Sequence, residues 1–383
     1  MPSFAALFAT LKPKLTASDH WRELPVAPDT LIADFSSNDY LSLATDADIL
    51  AAGYMTAKQY GTGATGSRLV SGNLLPHIAL ERSIADDKKT DAALIFNSGF
   101  QANATVLACL LDKKILGTEP LVFSDRLNHA SLHYACQLQG IRQIRYRHND
   151  LIHLRALLEK YRDHPNPKFI VTETVFGMDG DVVDMPTLAE LADEFDAFLY
   201  LDEAHATGLF GLRGYGLGSG WIAQRGLAMG TFSKALGGSG AYIACSSQIR
   251  DYVVNRCTGF IYSTAPSPYI TGAAHAAWQR IAHMDTLRAT LFTQAATLRQ
   301  QLQALGLNTG ASTTHIIPII LGDAALTLQW QRNLSEKGLL VSAIRPPTVP
   351  PHTSRLRIAL NLTHSPGQIN ALVDALKDCM QNA

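Results

Sequence analysis

Between about residues 90 and 245, short apolar runs alternate with stretches of helical length. The runs are AALIF (92–96), LVFS (121–124), FIVTE (169–173), FLYLDE (198–203), LAMGTF (227–232) and AYIACS (241–246). Stretches such as 150–162 and 186–196 carry amphipathic helical spacing between them. Continuous apolar runs, rather than alternating ones, indicate strands covered on both faces. The alternation therefore predicts βα units wound into a mostly parallel sheet. A long helical stretch follows at about 266–304. Beyond it HIIPIIL (315–321), LLVSAI (339–344) and RLRIAL (355–360) read as strands, with helices at 323–337 and 366–380. These predict a smaller C-terminal α/β domain. The opening MPSFAALFATLKPKL reads as an amphipathic helix and not as a signal peptide, because no basic stretch precedes its apolar run. The expected division is an N-terminal segment, 1–40, packed with the small domain or a dimer partner, a large domain at 41–275, and a small domain at 276–383.

Composition narrows the classes. A chain of 383 residues is too long for one compact core. With 47% hydrophobic and 17% charged residues it reads as a soluble globular protein with an apolar excess. That excess suits an oligomer interface. The net charge of −1 offers no basic surplus for nucleic acid. No run of about 18 apolar residues suggests a membrane span. The five cysteines, 109, 136, 245, 257 and 379, show no paired or metal-binding spacing. They read as reduced thiols of a cytoplasmic protein with no metal site.

In open α/β sheets, chemistry collects at the carboxyl ends of the strands. After AALIF come Asn97, Ser98, Gly99 and Phe100, a strand-to-helix turn whose free N–H groups suit a phosphate, or an ordinary helix cap. After LVFS comes His129, able to stack on an aromatic group. After FLYL come Asp202 and His205, where a carboxylate can hold a cation or simply cap a helix. After LAMG comes TFSKALGG. Its Lys234 has no charged residue within eight positions on either side, and Thr231 and Ser233 supply hydroxyls beside it. A lysine in apolar surroundings has a lowered pKa, and its free amine can attack a carbonyl; a snorkelling surface lysine is the ordinary alternative. IYSTAP adds Ser263 and Thr264 ahead of another helix. A phosphate cradle, a stacking histidine, an acid and an amine, each at a strand end, form a set suited to pyridoxal 5'-phosphate.

With these residues in view, the sequence resembles the pyridoxal-phosphate enzymes of the aspartate-aminotransferase fold, and among them the α-oxoamine synthase family. The matching motifs are FSSNDYLSL (35–43), YGTGATGSRLVSGN (60–73), FNSGFQAN (96–103), DRLNHASL (125–132), TETVFGMDGD (172–181), LDEAHATGLFG (201–211), TFSKALGG, IYSTAP and AIRPPTVPPHTSRLRIAL (343–360). They span nearly the whole chain. The resemblance implies an α/β fold of type I, with a large mostly parallel sheet domain and a smaller C-terminal α/β domain. It also implies a homodimer with sites at the interface.

It implies roles residue by residue. Lys234 would carry the cofactor as an aldimine, Asp202 would partner the pyridinium nitrogen, His205 would reach the phenolic oxygen, and His129 would stack on the ring. Ser98, Gly99, Phe100, Thr231 and Ser233 would line the phosphate, with Thr264 reaching the neighbouring subunit's cofactor. Asn38 would lie near the substrate and Arg357 would hold its carboxylate. Gly177 stands where many relatives carry a serine that bonds the phenolic oxygen, so His205 would make that contact alone. The Arg-Pro-Pro-Thr stretch, with Arg345 and Thr348, is similar to the biotin-pathway branch of the family. That branch condenses L-alanine with a pimeloyl thioester, carried on coenzyme A or an acyl carrier protein. The distal pimeloyl carboxylate gives Arg345 a purpose; Arg22 is a second candidate, or a plain surface charge. Branches using glycine or serine are the alternative. A non-catalytic partner subunit would be expected to lack the lysine or the acid. A nucleotide switch would need GxxxxGK followed by Ser or Thr, which TGATGSR lacks.

Overall fold

The computed structural model describes residues 4–17, 21–22, 24, 30–222 and 225–381. It divides into two compact units. One holds Asn38–Phe176 and Val182–Ala289, and the other Met1–Ser37, Gly177–Asp181 and Thr290–Ala383.

The larger unit is built on a seven-stranded sheet. Its strands run in the order Ala92–Phe96, Ala241–Cys245, Gly226–Thr231, Ala197–Asp202, Lys168–Glu173, Leu121–Asp125 and Gln143–Tyr146. Ala241–Cys245 runs antiparallel to both neighbours, and the other pairings are parallel. Six strands therefore point the same way and bring their carboxyl ends to one edge. Gly226–Thr231 and Ala241–Cys245 are buried throughout, as runs covered on both faces must be. Gln143–Tyr146 was not anticipated. It is an edge strand, buried fully only at Tyr146, so its polar residues gave no apolar run to read. Intervening helices start on side-chain caps: Asp150 accepts from His153 N, and Asp184 from Thr187 N.

The helical stretch expected at 266–304 is two helices, Pro268–Ile281 and Asp285–Ala304. The expected boundary at 275/276 also shifts, to 289/290. The reason is packing: Pro268–Ile281 lies along Ala47–Tyr60 in the larger unit. The approach is close enough that a Cβ on Gly272 would stand 2.1 Å from Thr56 Oγ1, and one on Gly53 3.0 Å from the Tyr269 carbonyl oxygen.

The second unit contains a three-stranded antiparallel sheet in the order Ser342–Ile344, Ser354–Ala359, Ile316–Gly322. The expected single strand at 339–344 is two. Leu339–Leu340 instead pairs in parallel with Ala33–Asp34. Helices Ala324–Glu336 and Pro366–Gln381 belong to this unit. So does Gly177–Asp181, which sequence reasoning assigned to the large domain. Gly180 O accepts from Thr313 N, and Gly177 O accepts from Arg357 Nε at 2.5 Å. The N-terminal amphipathic stretch forms two short helices, Phe4–Ala9 and Leu11–Ala17. Among the described residues, no helix is long and apolar enough to cross a membrane.

Candidate active site

At the carboxyl edge of the large sheet lies a cavity of about 250 Å³. Its walls come from the ends of five of the six parallel strands. Ser98, Gly99, Phe100 and Asn103 follow Ala92–Phe96, and His129 follows Leu121–Asp125. Glu173, Asp202 with Ala204 and His205, and Met229 with Thr231, Ser233 and Lys234 complete it.

Ser98 caps the helical segment that begins at Gly99, its hydroxyl accepting from Gln101 N at 3.2 Å. The Gly99 and Phe100 N–H groups belong to the first turn and have no partner within the helix. A Cβ on Gly99 would sit 3.8 Å from Thr231 Cβ and 3.9 Å from Met229 Sδ, taking room from the cavity. Across from this turn, the Thr231 hydroxyl donates to Gly240 O at 2.8 Å and accepts from Ser233 N at 3.1 Å. The Ser233 hydroxyl stands 2.7 Å from it. Free N–H groups and clustered hydroxyls make an anion cradle.

Asp202 ends its strand, 3% exposed. Its Oδ1 accepts from Ala204 N at 2.8 Å and its Oδ2 from Asn103 Nδ2 at 2.7 Å. Asn103 is fixed in turn by the Tyr200 hydroxyl at 3.1 Å and by its own donation to Ser131 Oγ at 3.0 Å. Sequence reasoning missed Asn103, although it lies inside the quoted FNSGFQAN. It opens a π-helical turn, Asn103–Leu107, of the kind that often marks a functional site.

His129 caps helix Ala130–Leu138 through Nδ1, which accepts from Ser131 N at 3.3 Å and lies 2.7 Å from Ser131 Oγ. Its backbone N–H donates to Glu173 Oε1 at 2.7 Å. The ring opens onto the cavity. Desolvation by the surrounding walls holds its pKa below the usual imidazole value; the Asp202 charge opposes this and Lys234 adds to it. A neutral ring with Nδ1 accepting carries its proton on Nε2. Glu173 was also missed, although it closes the quoted run FIVTE and the strand-end rule covers it.

Lys234 is half-buried, between the apolar setting and the surface position open to it from the sequence. Its Nζ lies 2.8 Å from His205 Nε2, and His205 Nδ1 lies 2.8 Å from the Tyr40 hydroxyl, which donates to Asn38 Oδ1 at 2.9 Å. Asn38 thus joins the cavity residues through Tyr40, which sequence reasoning did not single out. Gly237 (φ +66°) lets the loop after Lys234 press against the backbone at Ala44, where a Cβ would come within 2.2 Å of the amide nitrogen.

Thr264 does not line the cavity; it pairs with Ser67, and its carbonyl accepts from Asn97 Nδ2 at 2.9 Å. The remaining candidates lie in the second unit. There Arg22 Nη2 donates to Thr348 Oγ1 at 3.0 Å, and Arg345 Nη2 reaches the Trp21 carbonyl at 3.4 Å. Arg357 is buried in the central strand of its sheet, donating to Gly177 O. Among the described residues, no cluster of three metal-ligating side chains exists.

The model of the family described as aminotransferase class I and II matches residues 31–376. A putative 8-amino-7-oxononanoate synthase of Paramagnetospirillum magneticum is 50% identical over 91% of this chain and 89% of its own length. The 8-amino-7-oxononanoate synthase of Gluconacetobacter diazotrophicus is 48% identical over 91% of this chain and 87% of its own. Among solved structures, a serine palmitoyltransferase with pyridoxal phosphate as internal aldimine superposes at a TM-score of 0.89 with 24% identity, covering 100% of this chain and 99% of that one, a likeness of fold. The 8-amino-7-oxononanoate synthase of Francisella tularensis superposes at 0.79 with 25% identity, over 93% of this chain and 99% of its own. The chain belongs to the aminotransferase class I and II family and, within it, to the 8-amino-7-oxononanoate synthase branch of biotin-pathway acyltransferases.

Proposed function

We propose that the chain binds pyridoxal 5'-phosphate on Lys234 and condenses L-alanine with a pimeloyl thioester, releasing carbon dioxide and the free thiol. The observation that carries the cofactor assignment is Asp202. Its buried carboxylate faces a cavity and is held by neutral donors, Asn103 Nδ2 and Ala204 N. A carboxylate so placed is suited to a protonated ring nitrogen. The anion cradle at Ser98, Gly99, Phe100, Thr231 and Ser233 fits the phosphate, and the Lys234 amine fits the aldehyde. When bound, the pyridine ring supplies an electron sink for the pair left at the amino acid's Cα.

The chain's own residues do the rest. Lys234 holds the cofactor and then, as an amine, takes and returns protons at the substrate carbon. His129, neutral, would cover a face of the cofactor ring and keep Nε2–H available to a substrate oxygen. His205 stands beside the Lys234 nitrogen and would reach the cofactor's phenolic oxygen. Asn38 orients the amino acid, and Arg357 takes its carboxylate in the bidentate manner suited to guanidinium. Arg345, with Thr348 and Arg22, receives the distal pimeloyl carboxylate. Thr264 serves the cofactor of a second subunit. Exposed apolar side chains on the larger unit, Tyr54, Met55, Leu69, Val70, Leu75, Ile78 and Tyr262, support a homodimer. Five free, buried cysteines accord with a reducing cytoplasm.

A substrate panel tests this reading. Alanine, glycine and serine are each offered with pimeloyl, acetyl, succinyl and palmitoyl thioesters, on coenzyme A and on an acyl carrier protein. Turnover with alanine and a pimeloyl thioester is expected. Turnover with glycine or serine and none with alanine contradicts it.

A further inference from the structure

Tyr40 is fully buried, and its hydroxyl sits between His205 Nδ1 at 2.8 Å and Asn38 Oδ1 at 2.9 Å. The turn that carries it is closed by its own hydrogen bonds. Asp39 accepts from Leu43 N at 2.9 Å and Ala44 N at 3.1 Å, and Tyr40 N donates to Asn38 O at 2.9 Å. On the other side of the imidazole, Lys234 Nζ lies 2.8 Å from Nε2.

The donor inventory orients this chain. An ammonium has three N–H donors and no lone pair, so His205 Nε2 accepts from Lys234. A neutral imidazole that accepts at Nε2 carries its proton at Nδ1. Tyr40 O–H donates to Asn38 Oδ1, so its oxygen is the acceptor that Nδ1–H requires. All donors run one way, from Lys234 to Asn38.

We propose that Tyr40 is a positioning residue that holds His205 as the Nδ1–H tautomer, keeping the Nε2 lone pair toward the Lys234 nitrogen. The consequence is chemical. With Nε2 accepting, the proton that leaves the Lys234 ammonium has a base at hydrogen-bond distance. In the opposite tautomer Nε2 already carries a proton and has no lone pair to take another, so that route is closed. Tyr40 thus acts through His205 and touches neither cofactor nor substrate. The consequence rests on the assignment of Lys234 as the cofactor lysine; the tautomer does not.

The test reads nitrogen, not turnover. In the full chain labelled with 15N-histidine, before and after pyridoxal phosphate is added, His205 resonances are identified by their loss in His205→Gln. A protonated Nδ1 and bare Nε2 are expected before addition; a protonated Nε2 overturns the proposal, and this reading needs no variant of Tyr40. The pH midpoint of cofactor loading, followed by the growth of the visible absorption band, is then compared with that of Tyr40→Phe. Losing the Nε2 acceptor destabilises the Lys234 ammonium of the unloaded chain, so the midpoint falls, by about half to one pH unit. Asp202, Glu173 and His129 face the same cavity and are unchanged in the variant, so a displaced midpoint reports His205. An unchanged midpoint overturns the consequence. A wild-type protein that develops no band contradicts the proposed function instead, and the nitrogen shifts then decide the tautomer alone.

Discussion

Asp202 and Glu203 are consecutive, buried and alike in chemistry, yet their charges are balanced differently. Glu203 is wholly enclosed. It forms an ion pair with Lys88 in which neither side chain is exposed, and its second oxygen accepts from Gly218 N at 2.6 Å. Lys88 also donates to Tyr215 O at 2.7 Å. Burial alone would lower the Lys88 pKa, but the Glu203 charge and hydrogen bond, together with Tyr242, outweigh it and hold the ammonium above its usual value. Asp202 meets only neutral donors and opens on a cavity, with no ion pair among the described residues. A charge already balanced within the protein serves the fold. One balanced only by polar groups, beside a cavity, is suited to a ligand.

Four changes sharpen that contrast. The largest effect falls on the nucleophile: Lys234→Ala is expected to lose condensation by about 10⁴-fold or more while melting like the wild type, read by steady-state assay and circular dichroism. Next, Asp202→Asn keeps the shape and removes the charge. Activity falls by about 10²- to 10³-fold and cofactor affinity falls with it, while stability falls by only about 1–2 kcal/mol, because the new amide NH2 meets one of the two donors, Ala204 N or Asn103 Nδ2. A large loss of stability with activity retained would reverse the roles given to the two carboxylates. Third, Lys88→Met leaves Glu203 buried without its partner and costs about 3–5 kcal/mol in urea unfolding of the loaded protein. Adding Glu203→Gln recovers most of it, because the orphaned charge is gone. Lys88→Met unfolding like the wild type would mean that the pair balances nothing.

The smallest effect at neutral pH concerns a buried histidine of the second unit. Burial, with Arg357 adding, lowers the His315 pKa to about 3. An unfolded chain binds that proton near pH 6.5, so stability falls as pH drops from about 6.5 toward 3, by at most about 1.4 kcal/mol per pH unit. His315→Asn should flatten this limb, as followed by urea midpoints between those values. A limb of unchanged slope removes His315 from the account.

Much of the larger unit was legible because burial on both faces writes itself as uninterrupted apolar runs. The six strands read from such runs lie within a residue or two of their expected ends. Gln143–Tyr146, half-exposed at the edge, has no such run. The small unit was read less finely: Val341 separates two strands that pair with different partners, which local pattern cannot encode. At the cavity, strand-end logic reached Ser98, His129, Asp202 and Thr231 through Lys234. Glu173 obeyed the same rule and was passed over. Asn103 sits in a helical turn beyond its strand end, and Tyr40 in a turn outside the large sheet. Asn103 reaches Asp202, 99 residues away, and Tyr40 reaches His205, 165 residues away, through tertiary packing alone.

The most direct test of the central claim is to find where the cofactor attaches. The protein is loaded with pyridoxal phosphate, showing a band near about 420 nm, reduced with borohydride, digested and mapped by mass spectrometry. A pyridoxyl group on Lys234, with Lys234→Ala unlabelled, is the predicted result. A stoichiometric label on another lysine, or none, would contradict the account.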